Sequence, residues 1–200
     1  MKAVAQALGV MLLVAAFGVR AAEVAPDALV KSTVDEVLSV IKQNKDKRAL
    51  HDLAEQKVLP HFDFLAMTRI AVGRSWREAN PDQQKRLENA FRALLVNTYT
   101  TALSQTATSD ATVEVKPVQV KPDQAEVMVK TVAKQSGTQP FSIDYRMTRS
   151  AGGWKVMDVV VENLSLVTNY RDSFASEVGR SGIEGLIKSI EAKNQKLAAG

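Results

Sequence analysis

The chain has 200 residues, of which 26 are basic, 22 are acidic and none is cysteine, so its formal net charge is +4. The lack of cysteine excludes a disulfide framework, a thiol nucleophile and a thiolate metal site, and the charge excess is too small to indicate nucleic-acid binding. The length is sufficient for one domain with its own hydrophobic core.

The N-terminus has the features of a secretory signal peptide. Lys2 precedes an apolar run, and the sequence VRA at residues 19–21 fits a cleavage site flanked by small residues. We therefore predict that residues 1–21 are a signal peptide and that residues 22–200 form a single exported domain. An N-terminal membrane anchor is the alternative, which the shortness of the apolar run disfavours.

Helical periodicity dominates the part of the chain that follows. Apolar residues at spacings of three and four predict helices over residues 26–41, 48–59, 64–72 and 81–103. Asp63 is a suitable N-cap for the third of these helices, and Asn80 for the fourth, where Pro81 occupies the first helical position.

A period of two then replaces the helical period and predicts four strands. They cover Val113–Val120, Ala125–Ala133, Phe141–Thr148 and Trp154–Val161. Pro117 interrupts the first strand, which indicates a bulge or a sheet edge. From Leu164 the pattern is helical again, with a last helix from about Ile183. The sequence therefore predicts an α+β fold in which N- and C-terminal helices wrap a twisted antiparallel meander of about four strands.

The last predicted strand is apolar on both faces. One phase holds Trp154, Val156 and Val160, and the other holds Met157, Val159 and Val161. Such a strand needs cover on both sides. Helices supply part of that cover, and the surplus of apolar surface either closes on itself or encloses an oily ligand. Periodicity does not distinguish these two outcomes.

The sequence contains no recognisable catalytic motif. There is no phosphate-binding glycine loop and no GxSxG element. His51 and His61 lack an obvious third ligand, so we expect no metal site. Asp158 interrupts an apolar strand, and we favour a structural role in which Arg146, the Tyr145 hydroxyl or a nearby backbone group satisfies its carboxylate. The alternative is that Asp158 is the general base of a small α+β enzyme with an apolar substrate.

Several sequence blocks carry a resemblance to a known family. In chain order they are FDF at 62–64, MTRIAVG at 67–73, Trp76, QQKRL at 83–87, Thr98-Tyr99, WKVMDV at 154–159, NLSLV at 163–167, NYR at 169–171 and GIEGLI at 182–187. Together with the exported N-terminus, they are similar to the MlaC, or toluene-tolerance auxiliary, family of the Mla lipid transport pathway in Gram-negative bacteria. The similarity covers essentially the whole exported chain. Asn163 stands where many relatives have glycine.

The resemblance implies a hydrophobic pocket for phospholipid acyl tails between the sheet and the helices. It also implies a periplasmic carrier that shuttles lipid between an inner-membrane ABC transporter complex and an outer-membrane lipoprotein complex, and so maintains outer-membrane lipid asymmetry. It implies no catalytic residue, and we expect no cofactor, no nucleic-acid partner and a monomeric chain. The enzyme that uses Asp158, and an adaptor that binds only proteins, are the alternatives.

We expect acyl tails to occupy a cavity of roughly 1,000 Å³, lined by apolar residues of the meander and the helices. The predicted contacts are Phe64, Leu94, Leu103, Val127, Val129, Ile143, Tyr145, Met147, Val159, Val161 and Leu166. The register of the last hairpin decides which strand face lines the cavity. Arg146 and Arg171 are candidates for contact with the lipid phosphate, with a solvated or salt-bridged role as the alternative.

Overall fold

The computed structural model describes residues 23–43, 47–106 and 108–199, so the predicted signal peptide lies outside the described residues. The α-helices are α1 (Pro26–Gln43), α2 (Lys47–Leu53), α3 (Phe64–Val72), α4 (Pro81–Thr106) and α5 (Arg171–Ala199). A π-helical turn (Ala54–Val58) and a 3-10 turn (Leu59–His61) follow α2, and another 3-10 turn (Gly73–Arg77) follows α3. In these described ranges, no helix has both the length and the apolar character needed to cross a membrane.

The strands form one antiparallel sheet. They are β1 (Thr112–Val115), β2 (Glu126–Val129), β3 (Thr131–Lys134), β4 (Phe141–Ser150), β5 (Gly153–Val161) and β6 (Leu164–Ser165). Both β2 and β3 pair with β4, and Lys130 separates them, so the second predicted strand is one strand with a break. The order across the sheet is β1, then β2 and β3 end to end, then β4, β5 and β6. The predicted α+β class and antiparallel meander are confirmed.

A β-bulge in β5 corrects the expectation that this strand is apolar on both faces. The register between β4 and β5 shifts by one residue at Met157. Because an extra residue reverses the alternation beyond it, the two apolar phases join on one face of the sheet. That inner face carries Trp154, Val156, Val159 and Val161. Asp158 and Val160 point to the other face.

Two hydrophobic clusters flank the inner face of the sheet. The larger lies among α3, α4 and α5 and includes the fully buried Leu87, Phe91, Leu94, Leu186 and Ile187. The smaller lies beneath the sheet and contains Val30, Val127, Val129, Met147, Trp154 and Val156. Phe62 packs against both clusters. It is therefore the side chain that connects the helical layer to the sheet.

The segment before α3 fixes this connection through the backbone. The amide of Asp63 donates to the carbonyl of Val156 at 2.9 Å, and Phe62 forms a parallel bridge with the same strand residue. The Asp63 carboxylate accepts from the amide of Ala66 at 2.8 Å, as the N-cap prediction required. The start of α3 is consequently held against β5.

The C-terminal region differs from the prediction at its start. Leu164 and Ser165 pair with β5, so the helix predicted from Leu164 begins only at Arg171. The break expected before Ile183 is present as a kink in α5, because Gly182 has a φ of 70°. A positive φ of this size is accessible to glycine at little cost, and it changes the direction of the helix.

Replacement of Asn80 by alanine should destabilise the fold by removing a reciprocal cap. The amide of Gln83 donates to Asn80 Oδ1 at 2.9 Å, and the amide of Asn80 donates to Gln83 Oε1 at 3.1 Å. We expect Asn80→Ala to lower the free energy of unfolding by about 1 kcal/mol in urea titrations. Asn89→Ala, at an exposed site inside α4, is the control. Equal stability of the two variants would contradict the capping role.

Candidate functional site

Two adjoining chambers lie between the inner face of the sheet and the helices. Their volumes are about 450 and 240 Å³, so even together they are smaller than the roughly 1,000 Å³ that we expected. Their shared wall consists of Val37, Val58, Phe62, Gln135, Phe141, Ile143 and Tyr145. The predominance of apolar side chains in this wall makes the pair of chambers suited to hydrocarbon.

The smaller chamber lies between α1 and the sheet. One face of α1 contributes Leu29, Val30, Thr33, Val34, Val37, Leu38 and Ile41. The opposite wall is the inner face of β4 and β5, with Ile143, Tyr145, Met147 and Val156. The lining also includes the long polar side chains of His61, Lys134 and Gln135. The chamber is therefore apolar along its length, with a small number of polar groups in its wall.

The larger chamber lies between the same strands and the helices α2, α3 and α4. Its helical wall includes Leu50, Leu53, Phe64, Met67, Leu95, Val96 and Tyr99. The sheet and the segment after it contribute Val159, Val161 and Leu166. The bulge at Met157 makes this arrangement possible. Without it, Val156 and Val159 would lie on opposite faces of the sheet, whereas each now lines a chamber.

The tyrosines in the walls are held in the neutral form. Burial, and then the charge of Asp144, raise the pKa of Tyr145 to about 12. Burial, and then the charges of Tyr170 and Asp158, raise the pKa of Tyr99 to about 12. Neither phenol is therefore ionised near neutral pH, and both present an apolar ring with a single polar tip.

The predicted contact residues fall into three groups. Those that line a chamber are Phe64, Ile143, Tyr145, Met147, Val159, Val161 and Leu166. Leu94 is enclosed in the helical cluster, and Val127 and Val129 are enclosed in the cluster beneath the sheet. All three are buried, and none of them lines a chamber. The side chain of Leu103 lies outside the described part of the structure.

Asp158 lies in a satisfied polar cluster. Its carboxylate accepts from Ser165 Oγ at 2.7 Å, from the amide of Val167 at 3.3 Å and from the Arg146 guanidinium at 3.3 Å. Asp158 is 2% exposed and is absent from the walls of both chambers. This geometry matches the structural role that we favoured for Asp158 and offers no opening for a substrate.

The arginines proposed for phosphate contact also lie away from the chamber walls. Arg146 pairs with Asp158, and Arg171 Nε donates to the carbonyl of Ile70 at 3.1 Å. Within the described ranges, no group of three or more metal-ligating side chains is placed to hold an ion. The apolar linings of the two chambers are suited to binding an apolar group.

Sequence reasoning missed most of the wall contributed by helices. The apolar stripe of α1 was visible at helical spacing, but a stripe of this kind usually meets a core. Here it meets a chamber, and many of its members are only half-buried, including Val34, Val37 and Leu38. Phe141 is a wall residue that the candidate contacts did not include. Its alternation with Ile143 predicted a strand with one buried face, and this pattern was the signal by which Phe141 could have been found.

Comparisons with known proteins identify similar chains. The sequence model of the MlaC protein family matches residues 31–192. The toluene tolerance protein ttg2D of Pseudomonas putida is 27% identical over 92% of this chain and 86% of its own length. The intermembrane phospholipid transport system binding protein MlaC of Haemophilus influenzae is 20% identical over 85% of this chain and 82% of its own length.

A solved structure is also similar. It is the phospholipid-binding protein of Ralstonia solanacearum in complex with a phospholipid, which is 35% identical to this chain. The TM-score is 0.76, and the alignment covers 86% of this chain and 98% of the other. At this identity and coverage, the likeness extends over the fold that encloses the chambers.

The free energy of unfolding should depend on pH through His61, which lines the smaller chamber. Burial, and then the positive charge of Lys155, lower the pKa of His61 below 6.5, while Glu36 opposes this shift. Below pH 6.5 the unfolded chain therefore binds a proton at His61 more readily than the folded chain does. The contribution of His61 to the free energy of unfolding should be fully present above pH 6.5 and should decline as the pH falls through that value.

Urea titrations at pH 7.5 and 5.5 measure this contribution. We expect His61→Gln to lose less stability than the wild-type chain between the two pH values. His51→Gln removes the other histidine of the chain and is the control. An unchanged pH dependence in His61→Gln would show that the proton is taken up elsewhere.

Proposed function

This chain belongs to the MlaC family, and on that premise we propose that it is a carrier that holds phospholipid acyl tails in its two chambers. The family resemblance of the sequence blocks is confirmed by the family match and by the relatives. One observation carries the proposal. The chain encloses apolar chambers in a fold shared with a 35% identical protein that is in complex with a phospholipid.

The physical need for such a carrier follows from the cost of exposing hydrocarbon to water. Burial of each methylene is worth about 0.8 kcal/mol, so one acyl chain in water costs on the order of ten kcal/mol. Free diffusion of a phospholipid across an aqueous compartment is negligible at that cost. A carrier has only to cover the tails, because the headgroup is stable in water. Few polar specificity residues are then required, in agreement with the apolar walls of both chambers.

The proposed tail contacts are the predicted residues that line the chambers, together with the α1 face. Ile143 and Tyr145 belong to both walls, and Val159 and Val161 belong to the larger one. Leu94 and Val129 line neither chamber and belong to the two hydrophobic clusters. We therefore propose that acyl tails contact the inner face of β4 and β5, and that the two hydrophobic clusters stabilise the walls of the chambers.

The cellular role is proposed from the family. We infer that the chain is exported to the periplasm after removal of residues 1–21. There it would receive lipid from, or deliver lipid to, an inner-membrane ABC transporter complex and an outer-membrane lipoprotein complex. Such exchange would contribute to lipid asymmetry in the outer membrane. The names of two relatives, which refer to toluene tolerance and to intermembrane phospholipid transport, support this role.

Mass spectrometry of an organic extract of the purified chain tests the proposal directly. A carrier should release diacyl phospholipid in an amount comparable to that of the protein. An extract free of lipid, from protein prepared without detergent, would favour a protein adaptor and reject the carrier.

A catalytic role for Asp158 has no support in the geometry, since its carboxylate is enclosed by three donors.

Val159→Glu should greatly reduce lipid occupancy. Val159 lines the larger chamber, and an unpaired carboxylate among acyl tails costs several kcal/mol, whereas a tenfold loss of affinity needs only about 1.4 kcal/mol. We therefore expect at least about a tenfold fall in phospholipid per protein in the extract. Met128→Glu places the same carboxylate on an exposed residue opposite Arg146 and should retain its lipid.

A second variant separates lost binding from lost folding. Val161→Trp fills part of the larger chamber without introducing a charge, and circular dichroism reports whether each variant is folded. We expect the folded Val161→Trp chain to carry less lipid than the wild-type chain. Full occupancy in a folded Val159→Glu or Val161→Trp variant would place the acyl tails elsewhere.

A further inference from the structure

The arginines of this chain divide into two sets by their contacts. Within the described ranges, five form ion pairs with carboxylates, namely Arg86, Arg92, Arg146, Arg149 and Arg180. The other five form no such pair, and four of them gather around one 3-10 turn. These four are Arg69, Arg74, Arg77 and Arg171, and we refer to them as the arginine surface.

The position of the arginine surface follows from contacts with the turn Gly73–Arg77. Arg74 and Arg77 belong to the turn itself. The Arg69 guanidinium carbon lies 5.7 Å from the ring centroid of Trp76, the buried residue of the turn. Arg171 Nε donates to the carbonyl of Ile70 and lies 3.7 Å from the position that a Cβ on Gly73 would occupy. Arg69 in α3 and Arg171 at the start of α5 are distant in sequence, and both side chains therefore lie beside the turn that carries Arg74 and Arg77.

All four side chains are exposed, and their charge is not neutralised by contact. Glu78 and Asp172 are the acidic residues beside them in sequence, and neither forms an ion pair with any of the four in the described part of the chain. Leu65, one helical turn before Arg69, is also exposed, at 36%. The surface thus combines concentrated positive charge with an apolar side chain.

The residue types favour a protein partner over a membrane. Anionic lipid attracts lysine and arginine to a similar extent, so four exposed arginines do not by themselves favour a membrane. Arginine is enriched and lysine is depleted at protein interfaces, because the guanidinium forms paired hydrogen bonds with carboxylates and stacks on aromatic rings. Stacking on Trp76 and bonding to Ile70 also restrict Arg69 and Arg171 before any partner arrives, which reduces the entropy lost on binding.

We propose that the arginine surface docks this chain onto a protein partner through a carboxylate-rich face. The proposal rests on the proposed function for the choice of partner, which is one of the two membrane complexes that exchange lipid with the carrier. The surface is separate from the chamber walls, since none of its four arginines lines either chamber. Docking and lipid binding can therefore be altered independently.

The test compares two double variants with equal changes of charge. Arg74→Gln/Arg77→Gln removes two members of the surface, and Lys121→Gln/Lys130→Gln removes two exposed cations near the sheet. The probes are the inner-membrane transporter complex in lipid nanodiscs, the purified outer-membrane lipoprotein complex, and phosphatidylcholine vesicles with about 30% phosphatidylglycerol. Affinities are measured by biolayer interferometry, and at two salt concentrations for the complexes.

We expect the arginine variant to bind at least one complex about tenfold more weakly, with most of the loss in the association rate and a reduced salt dependence. The lysine variant should bind as the wild-type chain does. Three results would overturn the proposal: no binding of the wild-type chain to either complex, equal losses in both variants, or a loss confined to the vesicles.

The lipid content of the same variants separates this proposal from the proposed function. If the arginine variant loses docking but its organic extract still contains phospholipid, the carrier function stands and the surface is assigned. If docking is unchanged while wild-type protein contains no phospholipid, both the carrier function and the surface are rejected.

Discussion

The β-bulge at Met157 is the constraint on which the rest of the structure depends. It shifts the register between β4 and β5 by one residue, so the apolar residues on either side of it lie on a single face. The bulge also places Asp158 on the opposite face, where Arg146, Ser165 and the amide of Val167 satisfy its charge. The cluster around Asp158 fixes the turn after β5 and therefore the start of the C-terminal helical region. One extra residue thus determines both the lining of the chambers and the connection to α5.

The chambers persist because two solid clusters keep the helices and the sheet apart. Phe62 packs against both clusters and lines both chambers. The ring of Phe62 stacks on that of Phe64 with a centroid separation of 5.8 Å. The amide of Asp63, the residue between them, donates a hydrogen bond to the carbonyl of Val156 in β5. A backbone bond and two aromatic rings therefore set the spacing between the layers. Core packing on each side supplies the stability that the unfilled region does not.

The sequence predicted the elements well where local chemistry decides them. Both N-caps, Asp63 and Asn80, accept the expected amide hydrogen bonds, and the break near Ile183 coincides with the unusual backbone angle of Gly182. The bulge could not be predicted, because apolar residues in both phases of β5 suit a strand buried on both faces equally well. For the same reason, the candidate list mixed true wall residues such as Val159 with core residues such as Leu94. Burial and cavity lining use the same residue types, and only the spacing of the layers separates them.

The α1 helix shows how such a wall couples ligand binding to stability. Of its 18 residues, only Pro26, Val30 and Ile41 are buried, although its apolar stripe is continuous. Leu29, Val34, Val37 and Leu38 face the smaller chamber and forgo part of the dispersion contacts that a core would provide. Since a helix in a protein is stabilised mainly by packing of its apolar face, a ligand tail in that chamber would complete the packing of α1. Under the proposed function, lipid binding and the packing of α1 against the sheet are therefore thermodynamically coupled. By mass action the folded chain is stabilised by RT ln(1 + L/Kd), where L is the free lipid concentration, and release of lipid must weaken the packing of α1 against the chamber.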